Sequence, residues 1–462
     1  MGNVDDICGF AQTSLIPSIP SVPMSYGDVL PLLQALGGTK AADVAPDFTG
    51  DLDIEYTVGP STDFITLTVD TKFEIRKIPN VVATIKGSLP ADQDSPVLLG
   101  NHRDAWVYGA ADPNSGTAAL LEVSRGFGAL LKKGWQPKRT IKLLSWSGEE
   151  YGLLGSTGWG ELNFEELKRA SAYLNVDVAV SGDNLSVSAT PALATLWNEV
   201  MHDLNEEHPL RGSHLGVSFD NAPLGEVVDA NTNSLLSDSE VGTLGSGSDY
   251  TVFLDRLGIA SLDFTFSKQE AMYGVYHSIY DSFDWMDRYG GSNHKVHSSF
   301  DYMAGAARIW GLLAMRLAGD DVLPFDHDVQ ADALKKYMNV ISESGELDLG
   351  DLEKAITKYK EAAAVVAGEI EGASSLSEGE LASLNTRLSL TERNFLSEDG
   401  LPGRPWFKHT LQAPGLFLGY AAMAFPGVQE ALDEGDVKTA EEQLGVVSER
   451  IKEAARFLVG RE

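Results

Sequence analysis

The chain has 462 residues, enough for roughly three domains of ordinary size, and its 43% hydrophobic and 22% charged content is that of a protein with a packed core. Thirty-five Lys and Arg against 67 Asp and Glu leave a net charge of −32, which repels nucleic acid and anionic lipid and excludes a basic-patch function. A single cysteine, Cys8, excludes an intramolecular disulfide framework, and with no run of ~20 apolar residues no membrane-spanning helix is expected.

Taken in order, the chain opens without the basic and apolar regions of a signal peptide. The prolines of SLIPSIPSVPMSYGD predict an extended path, followed by a short helix over Val29–Leu36. DLDIEYTV and FITLTVDTKFEI then alternate apolar and polar residues, the pattern of a half-exposed antiparallel sheet. Next come two short apolar runs, Val97–Leu99 and Ile141–Trp146, each bounded by turn residues and so read as buried strands. Between them, Thr117–Leu131 predicts a helix that Asn114 or Ser115 can cap.

Each strand delivers polar side chains at its C-terminal end, the edge of an open α/β sheet where ligands sit. His102 and Asp112 follow the first, and Glu149 and Glu150 the second. AYLNVD ends on Asp177, and IASLDFTF leads into GVYHSIYDS with His277. These two imidazoles and four carboxylates are the donor types zinc accepts, and they suffice for two Zn²⁺ and a base. With Asp112, Glu150 and Asp177 as the charged ligands, Glu149 is left free as general base. Asn101, Arg103 and Trp106 surround the first histidine, either as its supports or as substrate contacts. The remaining histidines, His202, His208, His214, His294, His297, His327 and His409, lack the strand-end context and are expected on the surface or in the core.

GNHRDAW, DPNSG, SWSGEEYGLLGS, LGSGSDY and YGVYHSIYDS, in this order, resemble the zinc-dependent exopeptidases of the glutamate carboxypeptidase II and transferrin receptor family, over the chain from about Pro17 onward. The resemblance implies that His102 and Asp177 hold one zinc and Glu150 and His277 the other, with Asp112 bridging and Glu149 shuttling the proton. It also implies that Tyr276 stabilises the oxyanion and that Ser246, Gly247, Ser248, Tyr276 and Tyr420 contact a peptide substrate. Family members usually begin with a membrane anchor, a first piece of the protease domain and most of an apical domain, which the resemblance does not find in this sequence. A membrane-associated, extracellular or luminal setting is expected if such an anchor precedes it. In the family a lysine before the tyrosine contacts a C-terminal glutamate; here the pair reads Gly419-Tyr420. An arginine patch of the family is replaced by Asp263 and Thr265, so strong glutamate selectivity is not expected.

After LPFDHD the period changes. Leu352, Ile356, Tyr359, Ala363, Val366 and Ile370, and later Val437, Ala440, Leu444, Val447, Ile451, Ala454 and Leu458, recur at helical spacing, while Leu381, Leu384 and Leu388 mark a further helix. The expected fold is α/β: a mixed zinc-exopeptidase sheet flanked by helices over 77–318, a partial β-rich apical (protease-associated) domain over 1–76, and a C-terminal helical bundle over 319–462. By resemblance the bundle also forms a homodimer. The expected activity is carboxypeptidase-type hydrolysis of small peptides. An aminopeptidase and a non-catalytic receptor are the alternatives, and the intact ligand set argues against the second.

Overall fold

The apolar run from Val97 continues to His102 as a strand buried at every position, and its neighbours fix where that strand ends. The computed structural model describes residues 19–205 apart from 63, 71 and 73, together with 241–267, 273–291 and 298–461. Cys8, His208, His214, His294 and His297 lie outside the described residues. Six strands form the central sheet: β1 Val81–Ile85, β2 Val97–His102, β3 Ile141–Trp146, β4 Ala172–Asn175, β5 Asn184–Ala189 and β6 Ser261–Ser267. Their spatial order is β1-β3-β2-β4-β6-β5, with β3, β2, β4 and β6 parallel and the two outer strands antiparallel.

Register carries the sequence motifs to one edge. His102 pairs with Trp146, Gly100 with Asn175, and Asn175 with Asp263, so four parallel strands end side by side. Both faces of the sheet are covered, because alternate residues of β2 enter different apolar clusters: Val97 and Leu99 one, Leu98 the other. Helix α1, Asn114–Lys132, lies on the first face and packs against α2, Ser299–Gly319. The expected side-chain cap of α1 is not made. Ser115 Oγ donates to the Ala111 carbonyl and Asn114 Nδ2 to that of Tyr108, because both side chains are taken up by the loop before the helix.

Residues Ile78–Glu462 form one contact unit, in which the C-terminal helices follow the sheet. These are α3 His327–Ser342, α4 Gly350–Glu371, α5 Glu378–Leu390, α6 Pro426–Asp433 and α7 Val437–Leu458. Helices α4 and α7 pack on each other through the stripes read from sequence, with Leu352, Tyr359 and Val366 buried on one and Leu444, Ile451 and Leu458 on the other. Between α5 and α6 a short hairpin, β7 Gln412–Pro414 with β8 Ala422–Ala424, presents its turn toward the sheet edge, where the Tyr420 carbonyl accepts the Ser246 amide at 3.1 Å.

Residues Met1–Lys77 form a separate unit. Its helix runs over Tyr26–Ala35, capped by Ser25, close to the expected Val29–Leu36. The strands expected from DLDIEYTV and FITLTVDTKFEI are largely not formed. Only Thr57–Val58 pairs, with Thr39–Lys40, and the described residues of 64–75 hold no strand, leaving Phe64 98% and Ile75 100% exposed. Alternation states which side of a strand is apolar but supplies no partner for its backbone, and among the described residues of this unit none takes those hydrogen bonds.

The start of α1 sits so close to the ends of β2 and β4 that a Cβ on Gly116 would lie 2.1 Å from the Asp177 carbonyl oxygen and 2.6 Å from Asn101 Nδ2. Gly116→Ala is therefore expected to cost about 1–3 kcal/mol through overpacking. The outcome is a lowered midpoint in thermal unfolding with an unchanged far-ultraviolet circular dichroism spectrum.

Candidate metal centre

His102 closes β2, and its ring is buried. Nδ1 faces the Asp104 carbonyl at 2.9 Å, which can only accept, so Nδ1 carries a proton and Nε2 is the nitrogen turned toward the carboxylates. Around Nε2 stand Asp177 Oδ1 at 2.8 Å, Asp112 Oδ1 at 3.3 Å and Glu149 Oε2 at 3.8 Å. His277 Nε2 lies 3.2 Å from Asp112 Oδ2 and 3.1 Å from Glu150 Oε2. Asp112 thus turns one oxygen to each histidine. Two groups result, His102 with Glu149 and Asp177, and Asp112 with Glu150 and His277, the ligand atoms within each lying within 4.8 Å of one another.

The loops that hold these side chains are fixed by carboxylates that sequence reasoning passed over. Asp281 accepts the Ala111 amide at 2.7 Å and the Asp112 amide at 3.1 Å, which seats the Asp112 backbone. Asp104 accepts the amides of Glu149 and Glu150 at 3.1 and 3.3 Å, so one carboxylate ties the β3 loop to the β2 loop. Both residues stand inside quoted motifs, HRD and YHSIYDS, and that proximity was the one available signal. His277 adopts φ 54, the left-handed region that side chains avoid, and Tyr276 stacks on its ring at 3.6 Å.

Asn101 and Arg103 prove to be supports. Asn101 Nδ2 donates to the Val176 and Asp177 carbonyls, and Arg103 donates to those of Pro79, Ser145 and Trp146. His327 is buried between the Tyr359 hydroxyl and the Leu388 carbonyl, and His409 against Glu392, both in the core.

The substrate-side residues divide. Gly247, at φ +112, lies beneath Tyr420, where a Cβ would come 2.9 Å from the ring. Tyr420 is 63% exposed and stands near enough to Tyr276 to help raise its hydroxyl. Ser246 Oγ pairs with Thr251 Oγ1 at 3.0 Å. Ser248 is buried, and its hydroxyl accepts from Asn175 Nδ2 at 2.9 Å, so it braces the loop and does not face a substrate. The same Asn175 amide donates to Asp263 Oδ1 at 2.9 Å. Asp263 keeps a little solvent contact, yet the protein packed around it pushes its carboxyl up to about 7.

Electrostatics mark the centre as short of positive charge. Burial, then the Asp177 charge, pushes Glu149 up to about 9, and burial with Asp112 pushes Glu150 up to about 7. Burial raises fully enclosed Asp249 to about 7. Against the opposite pull of burial, the surrounding carboxylates raise His102 and His277. Burial would also raise Asp112, but the two histidines hold it below the usual carboxylate range. The buried Asp112 Oδ1 receives no hydrogen bond of good geometry. A bridging carboxylate with an unsatisfied oxygen, two imidazoles and three further carboxylates is a donor set that fits two zinc ions.

Residues 80–295 match the profile of peptidase family M28, and residues 347–459 that of the transferrin receptor-like dimerisation domain. The fold and site of residues 80–295 are thus similar to those of peptidase family M28, and with the two matches in this order the chain resembles the glutamate carboxypeptidase II and transferrin receptor family. It is 37% identical to the probable glutamate carboxypeptidase LAMP1 of Arabidopsis thaliana over 96% of this chain and 62% of that protein. It is 38% identical to a probable glutamate carboxypeptidase of Arthroderma benhamiae over 94% and 59%. Aminopeptidase NAALADL1 of Rattus norvegicus is 33% identical over 90% and 56%. The chain spans about three fifths of the length of the curated relatives it matches.

A pH signature follows. The raised carboxyls of Glu149 and Glu150 and the raised histidines all bind protons more tightly in the folded state, so folding is progressively weakened as pH rises from about 5 to 9. Chelator-treated protein is expected to lose thermal stability across that window. Two equivalents of Zn²⁺ are expected to restore it most strongly at the alkaline end, read by differential scanning calorimetry.

Proposed function

We propose that the chain is a di-zinc exopeptidase that hydrolyses small peptides, of carboxypeptidase type and without strong selectivity for C-terminal glutamate. The observation that carries the reading is the Asp112 carboxylate, whose two oxygens face the two histidines at 3.3 and 3.2 Å. His102 and Asp177 would hold one zinc, Glu150 and His277 the other, and Asp112 both. When bound, two zinc ions supply Lewis acidity, polarising a scissile carbonyl and acidifying a water.

The chain's own residues supply the proton traffic. Glu149 is held at the centre by its backbone amide on Asp104, and it sits farther from His102 than Asp177 or Asp112 does. Burial and Asp177 hold its carboxyl protonated in the metal-free chain, and bound cations would favour the carboxylate, which would then take the water's proton and pass it to the leaving amine. Tyr276 remains protonated, because burial and the neighbouring Tyr420 raise its hydroxyl, and can donate to a developing oxyanion. Tyr420 can hydrogen-bond a substrate carboxylate from above Gly247. Gly419, at φ +65, offers no side chain to an acidic substrate. The division at 77 and 319 into apical, peptidase and helical domains is part of this reading, as is a homodimer, for which the match to a dimerisation domain is the support.

A second reading, aminopeptidase, is favoured by the likeness to a protein of that name and uses the same centre. Glu149→Gln is expected to reduce turnover by at least ~100-fold while retaining two zinc ions, since only proton uptake is removed. Loss of zinc in parallel, measured by metal analysis, would make Glu149 a ligand. Matched dipeptides ending in Glu, Leu and Ala should show no strong preference for Glu. Cleavage confined to substrates with a free amino terminus would select the aminopeptidase reading.

A further inference from the structure

Beside the centre stands an aromatic pair that no step above uses. The Trp106 amide donates to Glu150 Oε1 at 3.2 Å, and its indole meets the His277 ring edge-on at 6.1 Å. Tyr151 follows Glu150 directly, and its ring lies 5.2 Å from that of Trp106. Both rings are therefore tied to the second group of donors, one through the backbone of a ligand and one through a hydrogen bond to it. They are nonetheless open, Trp106 being 47% and Tyr151 69% exposed. Large aromatic faces left open beside a group of polar donors are the kind of apolar surface that lines ligand sites.

The charges nearby point away from a charged occupant. Arg103, the cation next in sequence, spends its guanidinium on the carbonyls of Pro79, Ser145 and Trp146, so it is not available to receive an acid. Asp104, the carboxylate between the two loops, is taken up by the Glu149 and Glu150 amides and is not available to a base. Resting on the exopeptidase reading, we propose that Trp106 and Tyr151 form a subsite for an apolar side chain, aliphatic or aromatic, on the residue flanking the scissile bond at the Glu150–His277 side. Such a side chain covers both rings and displaces water from them, whereas a charged one must give up its hydration without a partner.

The test uses the zinc-loaded full chain and the hydroxamates of L-leucine, L-phenylalanine, L-glutamate and L-lysine, with acetohydroxamate as the common metal-binding reference, in isothermal titration calorimetry. Leucine and phenylalanine hydroxamates are expected to bind about 10–100-fold more tightly than those of glutamate and lysine, the scale of hydrophobic side-chain discrimination. Tyr151→Ala should weaken the phenylalanine compound about 5–10-fold, leaving acetohydroxamate binding and zinc content unchanged, and Tyr151→Phe should restore it. Equal affinities, tightest binding of the glutamate or lysine compound, a Tyr151→Ala loss that extends equally to acetohydroxamate, or no hydroxamate binding with two zinc ions present would each overturn the subsite. Retained apolar preference in a protein that cleaves no peptide would leave the subsite standing and remove the exopeptidase reading.

Discussion

The structure depends on the need to hold four carboxylates and two imidazoles within a few ångströms of one another. Asp112, Glu149, Glu150 and Asp177 repel one another, and burial sharpens the repulsion by withdrawing water. Protein groups offset part of it. The histidines face the carboxylates, and backbone amides are pinned by Asp104 and Asp281, which fixes the loops without adding a cation. The remaining imbalance is the physical basis of metal affinity: a folded chain that assembles such a centre has already met the cost of bringing like charges together, and a divalent cation releases it.

That cost is supportable because the ligands sit at the ends of the best-packed elements. Strands β2, β3 and β4 are enclosed on both faces, and α1 presses on their ends through Gly116, at a distance that admits no side chain. A scaffold of this density resists the small displacements that would relieve the repulsion by letting the carboxylates drift apart. The left-handed backbone of His277 belongs to the same account, since a conformation that is unfavourable alone persists where its surroundings leave no alternative.

The C-terminal region is joined to the centre as well as to itself. The hairpin β7–β8 carries Tyr420 over Gly247 and takes the Ser246 amide, so this contact joins segments that lie in two different family matches, 80–295 and 347–459. The helical stripes of α4 and α7 are buried in packing on each other, with α4 also meeting α3 and α7 meeting α6, and the hairpin of the same region places Tyr420 over Gly247.

Sequence by itself determined the strands that are apolar throughout, the helices with one apolar stripe, and the residues standing at the strand ends, because burial imposes a local period that can be read without knowing the partner. His102, Asp112, Glu149, Glu150, Asp177 and His277 were legible in this way, as were α4, α5 and α7. The local pattern left open which carboxylate faces which histidine, a pairing that only the family resemblance implied, since it depends on the register between β2, β3 and β4 and on loops crossing from distant parts of the chain. Tertiary structure alone decided that Asp104 and Asp281 hold amides, that Ser248 turns inward to Asn175, and that Tyr420 lies over Gly247. The alternation of FITLTVDTKFEI was equally legible, but a strand exists only when another backbone completes its hydrogen bonds, and that is a property of the assembled fold.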